Sequence, residues 1–483
     1  MSKPQAVTLR HAFSALSSAR LLGCGDEVLT SVSTDTRRIA AGSLFVAIKG
    51  EAFDAHHFVP EAKRSGAAVV MVERWIPGLK PPALVVSDTR KAYGEIGRAW
   101  RLQFRLPLIS VAGSNGKTTT KEMIASILRA HFGANAYLST RGNLNNDIGV
   151  PQTLLALRAR HLAGVVELGT NHPGEIGELA TYTCASVALV TNAQREHQEF
   201  LHGVEASALE NGASFAALSV DGIAVFPGDD ACAPIWRRQI GTRRSIEFGL
   251  AERAGLFPVW AMFDANPNQF NLMLDQTTLR VRLSIAGRHN VRNALAAAAS
   301  AYAIGVPSEA IVEGLEAFRP ASGRLVSHQL GEGRLLIDDS YNANPDSVRA
   351  AVDVLMSLPE PRVLVLGDMG EVGEHGDLYH REVGEYAAQQ GIQRLYCLGL
   401  ATRASVVVFN AARRHLSDTT SSGQDLESSS AAQYAEHFET IEALLEKVTS
   451  QRGSLLVKGS RFMKMERVIA GLGIKREAAA GAH

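Results

Sequence analysis

The fold is decided by the stretch Leu108-Ile109-Ser110-Val111-Ala112-Gly113-Ser114-Asn115-Gly116-Lys117-Thr118-Thr119-Thr120-Lys121-Glu122-Met123. An apolar run is followed by a turn of small residues and then by a helical pattern, which predicts a strand, a loop and a helix. In such a loop, backbone N–H groups converge on a phosphate, Lys117 adds positive charge and the Thr118 hydroxyl can bind Mg²⁺. The stretch therefore predicts a nucleoside triphosphate site. The alternative is an ordinary turn with an exposed lysine.

The loop departs from the general P-loop pattern at one position. That pattern places a glycine five residues before Gly116, and this chain has Val111 there. We therefore interpret the loop as a shorter variant of the phosphate-binding turn. Its candidate nucleotide-binding residues are Gly113, Ser114, Asn115, Gly116, Lys117, Thr118 and Thr119.

The composition is that of an ordinary soluble globular chain. Its 483 residues predict about three domains, and 46% of them are hydrophobic and 20% charged. Lys plus Arg and Asp plus Glu both number 49, so the formal net charge is zero. The overall charge therefore favours neither nucleic acid nor an anionic membrane as a partner.

The cysteines and the apolar runs predict a cytoplasmic protein. The cysteines are far apart and show no Cys-x-x-Cys spacing, which disfavours a zinc ribbon or a disulfide framework. They are Cys24, Cys184, Cys232 and Cys397. The stretch Met1 to Ala15 lacks the pattern of an export signal, and no apolar run is long enough to cross a bilayer. We expect reduced thiols and no membrane span.

Alternating strand and helix patterns divide the chain into three regions of an α/β fold. Residues 1–105 are typical of a small α/β domain. Residues 106–319 predict a P-loop nucleotide-binding domain with a mostly parallel sheet and an antiparallel excursion between Ser245 and Ile285. Residues 320–483 predict a doubly wound, Rossmann-like domain. The strand candidates are 42–48, 67–72, 83–86, 163–168, 187–191, 334–338, 362–366, 394–398 and 454–458.

One segment of the last region has a different composition. Ser405 to Ala432 includes two Ser/Thr-rich runs, which predicts a mobile surface insertion rather than a core element. We also expect the Ala-rich tail, Ala478 to His483, to be frayed.

Two candidate metal ligands follow apolar strands of the central region. Glu167 lies in Val165-Val166-Glu167-Leu168, and His197 lies just beyond Val187 to Thr191. The carboxyl ends of parallel strands are where open α/β sheets bind ligands, so both side chains are expected near Thr118 and a divalent ion. The alternatives are a helix-capping carboxylate and a loop histidine with a backbone partner.

Clustered asparagines mark two further segments of the central region. Asn143, Asn145 and Asn146 lie in a polar stretch, where their amides can bind a peptide-like ligand or simply form turns. Asn290 and Asn293 begin an Ala-rich helix, where the amides can face a base or phosphate or simply cap the helix.

Charged and amide groups follow three strands of the last region. They occur in the segments 338–347, 367–373 and 458–461. Arg324, just before the first of these strands, can reach across to a terminal phosphate as a transition-state cation does. Three such strand ends predict a cleft shared with the phosphate loop.

These motifs together resemble the Mur ligases, ATP-dependent amide-forming enzymes of peptidoglycan precursor synthesis. Gly113 to Thr119 matches their loop, which reads Gly-Ser/Thr-Asn-Gly-Lys-Thr-Thr. The segments 142–146, 339–345 and 366–371 resemble the branch that acts on D-alanyl-D-alanine and UDP-N-acetylmuramoyl-tripeptide (UDP-MurNAc-tripeptide). The Asp-Asn-Pro-Arg motif of the diaminopimelate-adding branch is absent. The resemblance runs from Ser33 to Arg461.

The resemblance implies an N-terminal domain that binds the UDP end of the substrate, a central ATPase and a closing C-terminal domain. It also implies that ATP phosphorylates the terminal carboxylate of UDP-MurNAc-tripeptide. The amine of D-alanyl-D-alanine then attacks the acyl phosphate. ATP and Mg²⁺ are the implied nucleotide and metal, and a monomer is the expected state.

The resemblance also assigns roles to individual residues. It implies catalytic roles for Lys117, His197 and Arg324, and Mg²⁺ binding by Thr118, Glu167 and His197. Besides the loop, the implied ATP-binding residues are Asn290, Arg324, Asp339 and Tyr341. The implied substrate-binding residues are Thr34, Asp35, Thr36, Arg37, Lys49, Asp54, Asn143, Asn145, Asn146, Asn342, Asn344 and Lys458.

The chain departs from the family at one metal position. Many Mur ligases carry a carbamylated lysine fourteen residues after the histidine that corresponds to His197, and this chain has Asn211 there. An asparagine cannot form the carbamate. We therefore expect either water or the neighbouring Glu210 to serve the second metal ion.

Two other functions compete with this one. The first is another ligase of the superfamily: a diaminopimelate- or lysine-adding enzyme, or folylpolyglutamate synthase. The second is a nucleotide-dependent binding or switch protein that hydrolyses ATP without forming a bond. The sequence leaves open whether the third residue of the tripeptide is diaminopimelate or lysine.

Overall fold

The computed structural model describes residues 8–16, 18–23, 25–50, 53–250, 258–263, 268–274, 276–331, 333–420 and 434–475. Within these ranges the chain forms three sheets, which are mostly parallel and alternate with helices. The predicted α/β class is confirmed. Cys24, the tail from Ala478 and residues 421–433 of the Ser-rich segment lie outside the described residues.

The first sheet has the strand order β1-β5-β4-β3-β2. Strand β1 is antiparallel to β5, and the other neighbours are parallel. The strands are β1 (Ala19–Leu22), β2 (Val32–Ser33), β3 (Leu44–Val46), β4 (Val69–Val72) and β5 (Ala83–Val86).

The central sheet has the order β14-β13-β12-β11-β10-β9-β6-β8-β7. Neighbouring strands are parallel from β7 through to β12 in this order. The antiparallel excursion predicted between Ser245 and Ile285 is confirmed for β13 and β14, whereas β11 and β12 continue the parallel part. The strands are β6 (Leu108–Ala112), β7 (Tyr137–Ser139), β8 (Ala163–Glu167), β9 (Val187–Val190), β10 (Ile223–Pro227), β11 (Arg244–Leu250), β12 (Val259–Phe263), β13 (Gln269–Leu274) and β14 (Thr277–Arg282).

The third sheet has the order β15-β16-β20-β17-β18-β19. Among the described strands of this sheet, β15 and β16 form an antiparallel pair and the other neighbours are parallel. The strands are β15 (Val326–Gln329), β16 (Leu335–Asp339), β17 (Arg362–Gly367), β18 (Arg394–Leu398), β19 (Ala435–Phe438) and β20 (Ser454–Lys458).

Helices connect and cover these strands. The α-helices are Leu9–Ser14, Val59–Arg64, Thr89–Arg101, Lys117–Phe132, Gly149–Leu155, Glu175–Thr183, Gln198–Leu201, Val204–Ala216, Ala233–Ile240, Arg288–Ala303, Ser308–Ala317, Pro345–Met356, Gly376–Gln389, Arg403–Thr420, Ile441–Thr449 and Glu466–Gly471. Short 3₁₀ helices occur at Thr36–Arg38, Ala55–Phe58, Gly373–His375 and Arg461–Met463. No helix of the described ranges has both the length and the apolar character needed to cross a bilayer.

The central strands are continuously apolar because helices cover both faces of the sheet. In β6, Ile109 and Val111 pack against the helices Lys117–Phe132 and Arg288–Ala303. Leu108 and Ala112 point to the opposite face, since successive side chains of a strand alternate. The third sheet is covered on both faces in the same way.

The prediction of a mobile surface insertion at Ser405 to Ala432 is wrong for the first half of that segment. The helix Arg403–Thr420 packs against Gly376–Gln389, and Phe409 on it is buried in the core of the third region. The close approach needs Gly384, whose added Cβ would lie 2.6 Å from the Ser405 carbonyl oxygen. The Ser/Thr composition of the later residues concealed a packed helix.

Candidate active site

A cleft of about 770 Å³ opens at the carboxyl ends of strands from the central and third sheets. It is lined by the phosphate loop and by candidate residues from both regions. The predicted residues on its wall are Ser114, Asn115, Gly116, Lys117, Thr118, Thr119, Asn143, Asn145, Asn146, Glu167, His197, Asn290, Arg324, Asp339, Tyr341, Asn342, Asn344 and Lys458.

The conformation of the phosphate loop requires its glycines. Gly113 and Gly116 have φ values of +127° and +81°, in the left-handed region that favours glycine. A Cβ on Gly116 would lie 2.3 Å from Asn293 Oδ1. A Cβ on Gly113 would lie 2.1 Å from Thr191 Oγ1. The loop therefore follows strand β6 as a tight turn that begins the helix Lys117–Phe132.

Residues after strand β9 brace the same loop. The Ser114 hydroxyl accepts a hydrogen bond from the Gln194 N–H at 3.0 Å. The Asn115 N–H donates to Asn192 Oδ1 at 2.9 Å. The loop is therefore held in shape by residues far away in sequence, before any phosphate binds.

Lys117 Nζ lies over the loop and donates to the carbonyl oxygens of Gly113 and Ser114. It also donates to Glu196 Oε2 at 3.0 Å. Glu196 is buried, with 5% of its surface exposed. The lysine charge is thus positioned for a phosphate and is countered by one carboxylate.

Thr118 and Glu167 meet as predicted. The Thr118 hydroxyl donates to Glu167 Oε1 at 3.1 Å, and the Asn145 amide donates to the same oxygen at 2.8 Å. Glu167 Oε2 is buried and has no hydrogen-bond partner among the described residues. A hard divalent cation fits here, because it prefers carboxylate and hydroxyl oxygens.

No group of three or more His, Cys, Asp and Glu side chains in the described ranges is arranged to hold a metal by itself. Mg²⁺ commonly takes only one or two carboxylates and shares the phosphates of its nucleotide. The pair of Thr118 and Glu167 matches that second arrangement.

His197 faces the third region of the chain. Its Nδ1 lies 2.7 Å from Glu371 Oε2 as an ion-pair contact, without the alignment of a hydrogen bond. This contact lowers the pKa of Glu371. On the other side of the ring, Nε2 lies 4.0 Å from Glu196 Oε2. His197 therefore lies between two carboxylates at the edge of the cleft.

Asn290 and Asn293 are buried where the helix Arg288–Ala303 begins. Asn290 Nδ2 donates to the Ala286 carbonyl at 2.7 Å. This bond is not a helix cap, because the capping position is Gly287 and, within the described ranges, no side chain caps this N-terminus. Asn293 Nδ2 donates to Asn290 Oδ1 at 3.2 Å, and its other amide atom faces Gly116. The pair thus shapes the wall of the cleft against the phosphate loop.

The residues of the third region form one connected cluster. Lys458 Nζ donates to Asp339 Oδ2 at 2.6 Å and to the Asn342 carbonyl at 2.9 Å. Burial raises the pKa of Asp339, against the opposing charge of Lys458. The Arg324 guanidinium stacks over the Tyr341 ring, 4.3 Å from its centroid. Arg324 is therefore held with its cationic face against an aromatic ring.

Amide groups join the two regions directly. Asn344 Nδ2 donates to Asn115 Oδ1 of the phosphate loop at 2.9 Å. Asn344 also caps the helix Pro345–Met356 in a capping box with Ser347. In the central region, Asn146 Oδ1 accepts from the Gly149 N–H at 2.9 Å and caps the next helix.

The residues expected at the UDP end lie outside this cleft, in the first region of the chain. Asp35 caps a 3₁₀ helix and pairs with Arg37. Asp54 accepts from Arg74 and His56, and these bonds lower its pKa. The Lys49 carbonyl accepts from Arg90, which does line the cleft. The structure therefore does not bring Thr34 to Arg37, Lys49 and Asp54 together with the phosphate loop.

Sequence reasoning overlooked several charged residues of the cleft. Arg195 and Glu196 immediately precede His197, and Arg90 and His289 lie on the wall. The run Arg195-Glu196-His197 of three adjacent ionisable residues after an apolar strand was the available signal. Burial and the charge of Lys458 lower the pKa of His289 to about 4.

Glu210, one of the two alternatives expected to serve the second metal ion, has both carboxylate oxygens engaged by backbone N–H groups. Glu210 Oε1 and Oε2 accept from the N–H groups of Ile176 and Gly174 at 2.8 and 2.7 Å. The N-terminus of the helix Glu175–Thr183 carries partial positive charge, which stabilises a carboxylate at this position. Asn211 instead points toward the phosphate loop, where its Oδ1 accepts from the Gly113 N–H at 2.7 Å.

Family models match three successive parts of the chain. They describe a Mur ligase family catalytic domain over residues 28–101, a Mur ligase middle domain over 111–301 and a Mur ligase glutamate ligase domain over 323–461.

Curated relatives named UDP-N-acetylmuramoyl-tripeptide--D-alanyl-D-alanine ligase match most of the chain. The protein from Escherichia coli is 38% identical, covering 92% of this chain and 94% of its own. The protein from Haemophilus influenzae is 35% identical, covering 94% and 96%. A crystal structure of MurF from Acinetobacter baumannii superposes with a TM-score of 0.84 at 34% identity, covering 98% of this chain and 99% of that one. The chain belongs to the Mur ligase family.

Proposed function

We propose that this protein joins D-alanyl-D-alanine to UDP-MurNAc-tripeptide with ATP, as the names of its relatives describe for them. One observation carries the proposal: a single cleft joins the phosphate loop to Arg324, Asp339 and Lys458 of the third region. Such a cleft can hold the nucleotide and two further reactants together, which an amide-forming ligase requires.

ATP is needed because a carboxylate is a poor electrophile. The terminal carboxylate of the tripeptide attacks the γ-phosphorus, which forms an acyl phosphate and releases ADP. The amine of D-alanyl-D-alanine then attacks the acyl carbon through a tetrahedral intermediate. Phosphate leaves, the nitrogen loses a proton and the amide is formed.

The roles of the residues follow from their positions. Lys117 and the loop N–H groups bind the phosphates, and Arg324 supplies positive charge for the transferred phosphoryl group. Thr118 and Glu167, with His197 nearby, are the residues that would hold Mg²⁺, which would neutralise triphosphate charge when bound. Asn290, Asp339 and Tyr341 contact the nucleotide. Asn143, Asn145, Asn146, Asn342, Asn344 and Lys458 contact the peptide substrates.

The first region binds the UDP end through Thr34 to Arg37, Lys49 and Asp54. These residues lie outside the cleft, so a substrate that contacts both must extend from one region to the other. The domain limits 1–105, 106–319 and 320–483, a monomeric state and a cytoplasmic location complete the proposal.

Phosphate release tests the proposal when it is measured with UDP-MurNAc-tripeptide and different acceptors. We expect release and a new amide product, seen by mass spectrometry, only when D-alanyl-D-alanine is present. Tripeptides containing diaminopimelate and lysine are compared in parallel. Release with glutamate and a folate acceptor would favour folylpolyglutamate synthase activity, and release without either substrate would favour a switch protein.

A lysine variant tests the site itself. Lys117→Ala removes the cation that faces the phosphates, so we expect no measurable turnover. Lys80→Ala, at an exposed position outside the cleft, is the matched control and keeps wild-type turnover. Full activity of Lys117→Ala would exclude this loop as the phosphate site.

A further inference from the structure

Glu196 is a buried carboxylate beside the phosphate loop. Its Oε2 accepts from Lys117 Nζ at 3.0 Å and lies 4.0 Å from His197 Nε2. Its Oε1 accepts from Asn211 Nδ2 at 3.1 Å. The carboxylate is thus held between the loop lysine, a histidine and an amide.

Asn211 is fixed on all sides. It is completely buried, Nδ2 also donates to the Ser207 carbonyl at 2.9 Å, and Oδ1 accepts from the Gly113 N–H. The amide orients Glu196 but carries no charge that would balance it. The balancing charge within hydrogen-bond distance comes from Lys117.

Nucleotide binding changes this balance. When phosphates occupy the loop, they share the charge of Lys117, as the proposed function requires. Glu196 then remains buried beside added negative charge. A buried carboxylate is strongly destabilised unless a cation compensates it. A divalent cation bound by Glu196 would provide that compensation.

The proposed cation position at Glu196 differs from the Mg²⁺ position at Thr118 and Glu167. Glu167 bonds with Thr118 and Asn145, whereas Glu196 bonds with Lys117 and Asn211. The two buried carboxylates thus approach the loop through different partners. Each can serve a separate cation.

The geometry points to Glu196 as a ligand of a second divalent cation, bound together with the nucleotide phosphates and with His197. Asn211 acts as a positioning residue that aims the carboxylate. Glu196 thereby replaces the carbamylated lysine that is missing from this chain. This inference deepens the proposed function and depends only on its nucleotide site.

Mn²⁺ binding, followed by electron paramagnetic resonance with a non-hydrolysable ATP analogue, tests the inference. We expect two Mn²⁺ per wild-type chain. Glu196→Gln should keep one site and weaken the other by ~10-fold or more, since it removes a direct ligand. Glu199→Gln removes an exposed carboxylate of the same segment, outside the cleft, and should bind both ions normally.

Wild-type affinity for both ions in Glu196→Gln, or only one ion in the wild type, would overturn the inference. The retained first site and the thermal midpoint show whether the variant is folded. Asn211→Ala should weaken the same second site by ~10-fold, which is typical of residues that orient a metal ligand; an unchanged second site would remove its positioning role. Because the assay contains no amino-acid substrate, its outcome is independent of which acceptor the enzyme uses.

Discussion

Arg195 of the central region is bonded to Asp346 of the third region through both its backbone and its side chain. The Arg195 N–H donates to Asp346 Oδ2 at 3.0 Å, and Nε donates to the same carboxylate at 3.2 Å. The guanidinium also donates to Glu382, and this bond lowers the pKa of Glu382. The loop that carries Glu196 and His197 is therefore tied to the third region.

Arg195→Ala should loosen this contact. It leaves the partly buried Asp346 without this cation and leaves Glu382 paired with Arg349, so we expect a loss of about 1–3 kcal/mol in the free energy of the contact. Small-angle scattering should show a larger radius of gyration, and turnover should fall. Arg381→Ala, which removes an exposed pair with Asp377, is the control. Equal scattering and turnover in both variants would exclude a coupling role for Arg195.

Gly116→Ala should weaken nucleotide binding by ~10-fold or more, because the new Cβ adds backbone strain and displaces Asn293. Gly78→Ala is a matched control, since Gly78 has φ +79° and no atom within 4 Å of an added Cβ. The control should lose about 1 kcal/mol of stability through strain and keep its affinity. Calorimetric titration with an ATP analogue measures the nucleotide affinity of both variants. Equal affinities would show that the loop tolerates the methyl group.

His289 should remain neutral at physiological pH, because burial and Lys458 lower its pKa from 6.5 to about 4. The unfolded chain takes up a proton as the pH falls below about 6.5, and the folded chain does not. Stability should therefore decrease as the pH falls from about 6.5 toward 4, by at most about 3 kcal/mol. It should be unaffected by His289 above that range.

Thermal midpoints measured against pH test this slope. His289→Gln should flatten it, whereas the exposed His57→Gln should not. Nuclear magnetic resonance titration of the imidazole provides the pKa directly. A value of 6.5 or higher would contradict the expected environment of His289.

Turnover should not depend on carbon dioxide. The amide of Asn211 cannot form the carbamate that a lysine forms at this position, and it is fully used in bonds to Gly113, Glu196 and Ser207. Assays in buffers depleted of bicarbonate should match assays in supplemented buffers. A requirement for bicarbonate would indicate a carbamylated lysine elsewhere in the site.

The sequence predicted the continuously apolar strands to within a few residues, because helices cover both faces of the sheets at those strands. More exposed strands such as β1 and β15 contain no such apolar run and were not predicted. Strands β5, β18 and β20 match their predicted ranges. The prediction for the Ser-rich segment was wrong because amino-acid composition indicates only overall polarity. The helix Arg403–Thr420 needs only one apolar face to pack.

The conformation of the phosphate loop could also be predicted from the sequence, since a glycine at positive φ and a lysine at the start of a helix are local features. The distant residues that bond with that loop could not be predicted. Asn211 is 98 residues from Gly113, and Asn344 is 229 residues from Asn115. Local patterns do not encode which distant amide meets a given loop.

The sequence by itself determined the phosphate loop, the α/β alternation and the resemblance to the Mur ligases, because backbone conformation and strand burial depend on residues close in the chain. Only the tertiary structure decided that Glu210 caps a helix while Asn211 bonds with Gly113 and Glu196 beside the cleft. Adjacent residues on a helix point in directions about 100° apart, so their functions depend on what packs against each side.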